Sequence, residues 1–266
     1  MFKLEPIVDS NFKRIGHEVL TFLPLIPNSL LFSVPNKKLE IYLFEKYIRR
    51  ESIRLSGTNG NFFSFNFSFT TFKEYFDLIM ELCKKFPRLL IEITEIAPLD
   101  EEWFLRNKDI HDFWHERVIL DDCLESFLTL RDIDRVPPPK GFKISVRTFE
   151  NLRKRGMDIG TFLNKYQGDG RLLIAEKIET AEELEKAKEL GFNAFQGYLI
   201  KDMVIYGDHC ATNRHASLIL YLDGDTYPGI STLLEIRELL KNHDDSSSLK
   251  SFRKSRKISC KTRELR

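Results

Sequence analysis

The chain has 266 residues, of which 42% are hydrophobic and 30% are charged, and its formal net charge is +1. This composition is typical of a soluble globular protein, and the balanced charge excludes a general attraction to nucleic acid or membranes. The amino terminus has no signal-peptide pattern, apolar runs stay well below ~18 residues, and the four cysteines are scattered. We therefore expect a cytoplasmic protein without a transmembrane segment.

Strand-like runs alternate with helix-like stretches along most of the chain. The eight runs lie at 3–9, 14–20, 62–68, 89–95, 117–122, 141–146, 172–177 and 194–200. Helices are predicted at 72–86, from the spacing of apolar residues, and at 180–191, between the capping Thr180 and Gly191. Alternation of this kind predicts a mostly parallel α/β sheet, and eight strands favour a closed TIM-type (β/α)8 barrel. A doubly wound open sheet is the alternative.

The chain changes character after this region. We predict a barrel domain at 1–205, a C-terminal extension with one helix at 206–245, and a tail at 246–266. The tail is strongly basic, which is typical of a disordered, solvated segment. The alternative is that its charge provides a weak contact with a protein partner or an anionic surface.

Seven of the eight runs carry polar side chains near their carboxyl ends. These residues are Glu18, Asn66, Glu92, Glu95, Asp121, Asp122, Lys143, Glu176, Glu179 and Gln196. Because the carboxyl ends of barrel strands meet at one face, we expect these side chains to converge. Isolated buried charges are costly, so one shared site is favoured over separate structural roles.

The adjacent Asp121 and Asp122 allow two interpretations. Asp122 and Glu125 have the spacing of a capping box, which would begin a helix. Alternatively, the carboxylates and the Asn66 amide bind Mg²⁺ or Mn²⁺, because sets of oxygen ligands select hard cations. Two neighbouring aspartates suit a two-metal site for in-line phosphoryl displacement, in which Lys143 would orient the water or stabilise charge.

The ordered set of motifs resembles the EAL domain, the cyclic di-GMP phosphodiesterase family of bacteria. The segment EPIVD…RIGHEVL is similar to the family's opening QPIVD…VGYEAL. The segments NFS, EITE, LDD, FKI, AEKIET and FQGYLI then follow in the family's order, so that the resemblance spans about residues 3 to 200. The sequences of the last two segments are most similar to the EAL part of EAL–HDOD proteins. The resemblance implies a TIM-type barrel with an atypical first strand.

The resemblance also implies an activity and a set of roles. The activity is metal-dependent hydrolysis of cyclic di-GMP to linear pGpG in bacterial second-messenger signalling, and a homodimer is a further expectation. The implied metal ligands are Glu18, Asn66, Glu92, Asp121, Asp122 and Glu176. The implied catalytic residues are Lys143, Glu176 and Gln196. Glu18 and Leu20 would contact the substrate. Glu95 and Glu179 would orient loops and ligands.

Several positions depart from the family pattern. Phe22 stands where the family has a phosphate-binding arginine, and CLESFLTL at 123–130 replaces a glycine-rich loop. Ser145 stands in place of an aspartate, and Lys177 stands in place of a glycine. The metal ligands are therefore retained, while the groups that hold the substrate are altered, so we expect any hydrolysis to be weak.

Three functions remain open on the sequence alone. The chain is an active phosphodiesterase, a sensor that binds cyclic di-GMP without cleaving it, or a degenerate domain that acts through protein contacts. The retained Lys143 and Glu176 favour the enzyme, whereas Phe22 and the altered loop favour the other two functions.

Overall fold

A computed structural model describes most of the first 209 residues. The described ranges are 2–21, 36–55, 60–94, 101–107, 109–122, 136–156, 158–167 and 170–209. All of them belong to one compact unit of the chain. The predicted domain boundaries stay predictions, because residues 210–266 lie outside the described part.

Eight strands close into a barrel in sequence order, from β1 to β8. They are β1 (Phe2–Asp9), β2 (Arg14–Thr21), β3 (Phe62–Ser68), β4 (Leu89–Thr94), β5 (Val118–Leu120), β6 (Gly141–Ser145), β7 (Leu172–Glu176) and β8 (Ala194–Phe195). Strand β1 runs antiparallel to both of its neighbours, β2 and β8, whereas β2 to β8 pair in parallel. The prediction of a TIM-type barrel with an atypical first strand is confirmed.

The helices pack between and around these strands. They are α1 (Lys37–Leu55), α2 (Phe69–Glu74), α3 (Phe76–Lys85), α4 (Glu101–Arg106), α5 (Ile110–Arg117), α6 (Phe149–Lys154), α7 (Ile159–Tyr166), α8 (Ala181–Leu190) and α9 (Tyr198–His209). Helix α8 confirms the predicted signals, since Thr180 forms a capping box with Glu183 and Gly191 ends the helix at φ 97°. None of the helices in the described ranges is long and apolar enough to cross a membrane.

Two predicted elements differ in the structure. The run at 194–200 is a strand only at Ala194–Phe195, and α9 begins at Tyr198. Gly197 makes this turn possible, because its φ is 145° and an added Cβ would lie 2.3 Å from the Ile178 nitrogen. The helix predicted at 72–86 is two helices, α2 and α3, which are separated at Tyr75.

The barrel interior has an apolar layer below a polar layer. The apolar layer includes Ile7, Leu90, Ile119, Ile174 and Ala194. Two positions after the last four of these residues stand Glu92, Asp121, Glu176 and Gln196. Because alternate residues of a strand point to the same side, this spacing stacks the polar residues above the apolar ones.

Two glycines keep the floor of the polar layer narrow. Gly16 precedes Glu18 by two positions, and a Cβ on Gly16 would lie 2.4 Å from the Phe62 ring. Gly141 precedes Lys143 in the same way, and a Cβ there would lie 2.5 Å from a backbone oxygen of Leu172. A side chain at Gly141 would therefore press on the backbone of β7, and one at Gly16 would displace the Phe62 ring beneath the site.

Strand β3 shows how one alternating sequence serves both sides of the barrel wall. Phe65 and Phe67 pack against Phe44 of α1, with ring centroids 5.2 Å and 4.9 Å apart. Ser64 and Asn66 point to the opposite side, where they bond carboxylates of β4 and β2. The phenylalanine run therefore forms the layer between strands and helices, and its polar partners form the barrel interior.

Candidate metal centre at the mouth of the barrel

The ammonium group of Lys143 lies at the centre of the polar layer. Lys143 Nζ is 3.0 Å from Glu18 Oε2 and 3.0 Å from Glu92 Oε2. It is also 3.2 Å from Asp121 Oδ1 and 3.5 Å from Glu176 Oε2. The Lys143 side chain is 1% exposed, so these four carboxylates and one cation share an interior with little water.

Hydrogen bonds from neighbouring strands fix the orientation of two of these carboxylates. Asn66 Nδ2 donates to Glu18 Oε1 over 2.7 Å, and Gln196 Nε2 donates to Glu18 Oε2 over 2.6 Å. Ser64 Oγ donates to Glu92 Oε1. Each bond joins residues on different strands, so the barrel itself sets the geometry of the site.

The close packing of these charges shifts their proton affinities in different directions. Burial opposes the charge on Glu18, but Lys143 and the two amide donors hold the Glu18 pKa below its ordinary value. Burial and the nearby Glu18 charge raise the pKa of Glu92 well above its ordinary value. Burial also raises the pKa of Asp121, and it raises that of Glu176 to about 8. A cation that binds these carboxylates therefore competes with protons.

The negative charges around Lys143 affect its pKa more than its burial does. Burial disfavours the charged ammonium, yet the charges of Asp121 and Glu18, with those of Glu92 and Glu176, raise the pKa of Lys143 well above its ordinary value. Lys143 consequently keeps its positive charge throughout the physiological pH range.

A second acidic group adjoins the first at the end of β7. Glu176 closes this strand, and Lys177 follows it with φ 59°. Lys177 Nζ lies 2.8 Å from Asp122 Oδ1 and 3.2 Å from Glu176 Oε1. Asp122 has φ 46°, and its predicted capping box with Glu125 falls on residues 123–135, which lie outside the described ranges.

The donor set fits divalent cations. Two groups of carboxylates have oxygens within 4.8 Å of one another: Glu18, Glu92 and Asp121, and Asp121, Asp122 and Glu176. Asn66 Oδ1 and Gln196 Oε1 are buried oxygens that find no hydrogen-bond partner within the described structure. Buried, unpartnered oxygens beside clustered carboxylates are the ligands that Mg²⁺, Mn²⁺ and Ca²⁺ prefer.

The mouth of the cavity above the acidic residues is also charged. Glu5, Arg147, Glu179, Gly197 and Tyr198 line it together with the central residues. Arg147 Nη2 donates to Glu179 Oε1, and the exposed ring of Tyr198 stands at the start of α9. The mouth therefore presents a cation and an aromatic surface near the acidic interior.

The structure brings together most of the predicted site residues. The residues that converge are Glu18, Asn66, Glu92, Asp121, Asp122, Lys143, Glu176 and Gln196. Glu179 lies at the mouth, and its backbone nitrogen bonds Glu183. Leu20 is half-buried two positions after Glu18 on β2. Glu95 and Phe22 lie outside the described residues, and the roles of all these residues stay predictions.

Sequence reasoning missed two contributors to the site. Ser64 is completely buried and donates a hydrogen bond to Glu92. Because alternate residues of a strand share a side, its position two residues before Asn66 could have predicted this location. Lys177 contacts Asp122 and Glu176, whereas the sequence identified it only as a lysine in place of the family's glycine.

Comparison with known proteins supports the fold. No protein-family model matches the chain. The chain is similar to YuxH, an uncharacterized protein of Bacillus subtilis, with 28% identity over 131 residues that cover 46% of this chain and 29% of YuxH. Among solved structures it is similar to the Bacillus subtilis YkuI protein, which has an EAL domain and was determined in complex with substrate cyclic di-GMP and calcium. That match has 19% identity and a TM-score of 0.60, and covers 75% of this chain and 54% of YkuI.

A second structural neighbour is an EAL domain protein from Listeria monocytogenes. It has 20% identity and a TM-score of 0.58, and the match covers 80% of this chain and 93% of that protein. At 19% and 20% identity these neighbours establish the barrel fold of EAL domains for this chain. The narrower resemblance to EAL–HDOD proteins stays a prediction.

Proposed function

We propose that this chain is a metal-dependent phosphodiesterase that hydrolyses cyclic di-GMP to linear pGpG, weakly, as part of bacterial second-messenger signalling. The observation that carries the proposal is the convergence of five carboxylates, four of them around Lys143, at the carboxyl ends of the barrel strands. The binding of substrate cyclic di-GMP and calcium by YkuI, which shares the fold, supports this choice of substrate.

The two acidic groups divide the proposed cation ligands. Glu18, Asn66, Glu92 and Asp121 would hold one Mg²⁺ or Mn²⁺, and Asp121, Asp122 and Glu176 offer a second set of ligand oxygens beside it. When bound, such cations activate a water molecule and neutralise the oxygens of a phosphodiester during in-line displacement. The residues would also keep the reacting phosphate close to the mouth, where a nucleotide can enter.

Lys143 and Gln196 are placed to assist the reaction. Lys143 keeps a positive charge inside the barrel and would stabilise the negative charge that develops on the phosphate oxygens. Gln196 holds Glu18 through its amide nitrogen, which leaves its buried Oε1 able to accept a hydrogen bond from the attacking water. Both roles need the side chains to be fixed, as their bonds across the barrel ensure.

Incubation of the full chain with cyclic di-GMP and Mn²⁺ tests the proposal, with linear pGpG measured by chromatography. We expect slow formation of pGpG by the wild type and none by Glu92→Gln, which removes a buried ligand charge. Glu185→Gln, which alters an exposed carboxylate on α8, is the matched control and should keep the wild-type rate. Failure of the wild type to produce pGpG at high enzyme concentration would refute the enzymatic function.

A second candidate function is supported by the contact between Lys177 and Asp122. An ammonium group on a ligand of the second cation would weaken cleavage more than binding, which suits a sensor. Binding of cyclic di-GMP without release of pGpG in the same incubation would select this function. Absence of binding as well would leave a domain that acts through protein contacts.

A further inference from the structure

Lys177 has an unusual backbone conformation for a side chain of its size. Its φ of 59° lies in the left-handed region, which is unfavourable for a residue other than glycine. The residue directly follows Glu176 at the end of β7, so its backbone lies beside the acidic groups. From there its partly exposed side chain extends to one place at the end of the barrel.

That place is the second acidic group. Lys177 Nζ lies 2.8 Å from Asp122 Oδ1 and 3.2 Å from Glu176 Oε1. Asp122 also has a positive φ, 46°, so the ion pair joins two residues with left-handed backbones across the ends of β5 and β7. The Lys177 ammonium therefore contacts two of the three carboxylates that would bind the second cation.

We propose that the Lys177 ammonium takes the place of the second divalent cation, so that the chain binds one such ion where the acidic residues alone would bind two. The inference rests on the proposed metal-dependent function and refines it. An ammonium within 3.2 Å of two ligand oxygens lies beside the place where those oxygens would hold a cation, and its positive charge repels that cation.

The two acidic groups differ in a way that explains why one cation site would remain. The first group has the additional Asn66 oxygen, which is buried and has no hydrogen-bond partner among the described residues. Lys143 contacts carboxylates of both groups, and Lys177 adds a second ammonium at Asp122 and Glu176, so the second group carries more positive charge than the first. A site with one such ion lacks the second charge that accelerates in-line displacement, which agrees with weak hydrolysis.

Manganese binding to the full chain tests the inference without reference to activity. Isothermal titration calorimetry with Mn²⁺ counts the ions bound per chain for the wild type, Lys177→Gln and Lys177→Gly. We expect one ion for the wild type and two for both variants, with the additional ion bound at least tenfold more tightly than any second ion in the wild type. Lys177→Gly also removes the backbone strain, so it provides a folded variant if Lys177→Gln is unstable.

Two controls separate charge from other effects. Lys177→Arg keeps the positive charge and should bind one ion. Lys188→Gln removes a lysine that pairs with Glu185 on α8 and does not line the cavity, and should also bind one ion. If the wild type and the Lys177→Gln and Lys177→Gly variants bind the same non-zero number of ions, the role of Lys177 is refuted and the proposed function stands. If no protein binds Mn²⁺, the metal-dependent function is refuted together with this inference.

Discussion

Replacement of Lys143 by methionine measures how strongly one cation stabilises the metal-free barrel. Lys143→Met keeps a long side chain and removes the charge, so the change chiefly leaves the surrounding carboxylates without their partner. Oxygens of Glu18, Glu92, Asp121 and Glu176 lie within 3.5 Å of the ammonium. Removal of one partner from a buried ion pair costs about 3–5 kcal/mol, because an uncompensated charge remains.

We therefore expect the free energy of unfolding of Lys143→Met to be about 3–5 kcal/mol below that of the wild type at pH 8. The difference should be smaller at pH 5, since the pKa values of Glu92, Asp121 and Glu176 are already raised and protonation removes the repulsion. Urea unfolding followed by circular dichroism, with a chelator present, measures both values.

Lys140→Met is the matched control for this experiment. Lys140 stands three positions earlier, and among the described residues its ammonium donates only to the backbone oxygen of Gly170, over 3.3 Å. Its replacement should cost no more than about 1 kcal/mol at either pH. A loss below about 1 kcal/mol for Lys143→Met at pH 8, or equal losses at pH 5 and pH 8, would refute the electrostatic account.

Three further predictions follow from single features of the chain. Because the folded state raises the pKa of Glu176 from 4.5 to about 8, it binds the proton more tightly than the unfolded state. The stability of the metal-free protein should therefore fall as pH rises through that window, by at most roughly 1.4 kcal/mol per pH unit, and urea titrations should show a smaller slope for Glu176→Gln. Gly197→Ala should lower the melting temperature much more than Gly170→Ala, since a Cβ meets the Ile178 backbone at 2.3 Å only in the former. Truncation after Asp245 should leave a folded protein by circular dichroism, because the basic tail has too few apolar residues to form a core.

The sequence allows the barrel and most of its polar layer to be predicted, because both depend on short periodic patterns. An apolar residue followed two positions later by a polar one recurs at Leu90 and Glu92, and at Ile174 and Glu176. That spacing is enough to place the polar residues on one side of each strand, near one end of the barrel. The unusual direction of the first strand is not visible in this periodicity. It is implied by the order of motifs that the chain shares with the EAL family.

The parts that could not be predicted depend on conformation and on contacts between distant elements. The end of β8 is set by Gly197, whose φ of 145° brings the chain against Ile178 and begins α9. The break at Tyr75 leaves the apolar periodicity on both sides intact, so spacing alone predicts one helix. The reach of Lys177 to Asp122 likewise depends on two left-handed residues, which no local pattern in the sequence specifies.

Diffraction from crystals of the full chain soaked with Mn²⁺, measured at the manganese absorption edge, tests the central claim most directly. The account predicts an anomalous peak bounded by oxygens of Glu18, Asn66, Glu92 and Asp121, at distances near 2.2 Å as a rough value for hard cations. It predicts a second peak beside Asp122 and Glu176 only when Lys177 is replaced by glutamine or glycine. A structure at millimolar Mn²⁺ with Lys143 still contacting all four carboxylates and no anomalous peak among them would contradict the assignment of a metal centre.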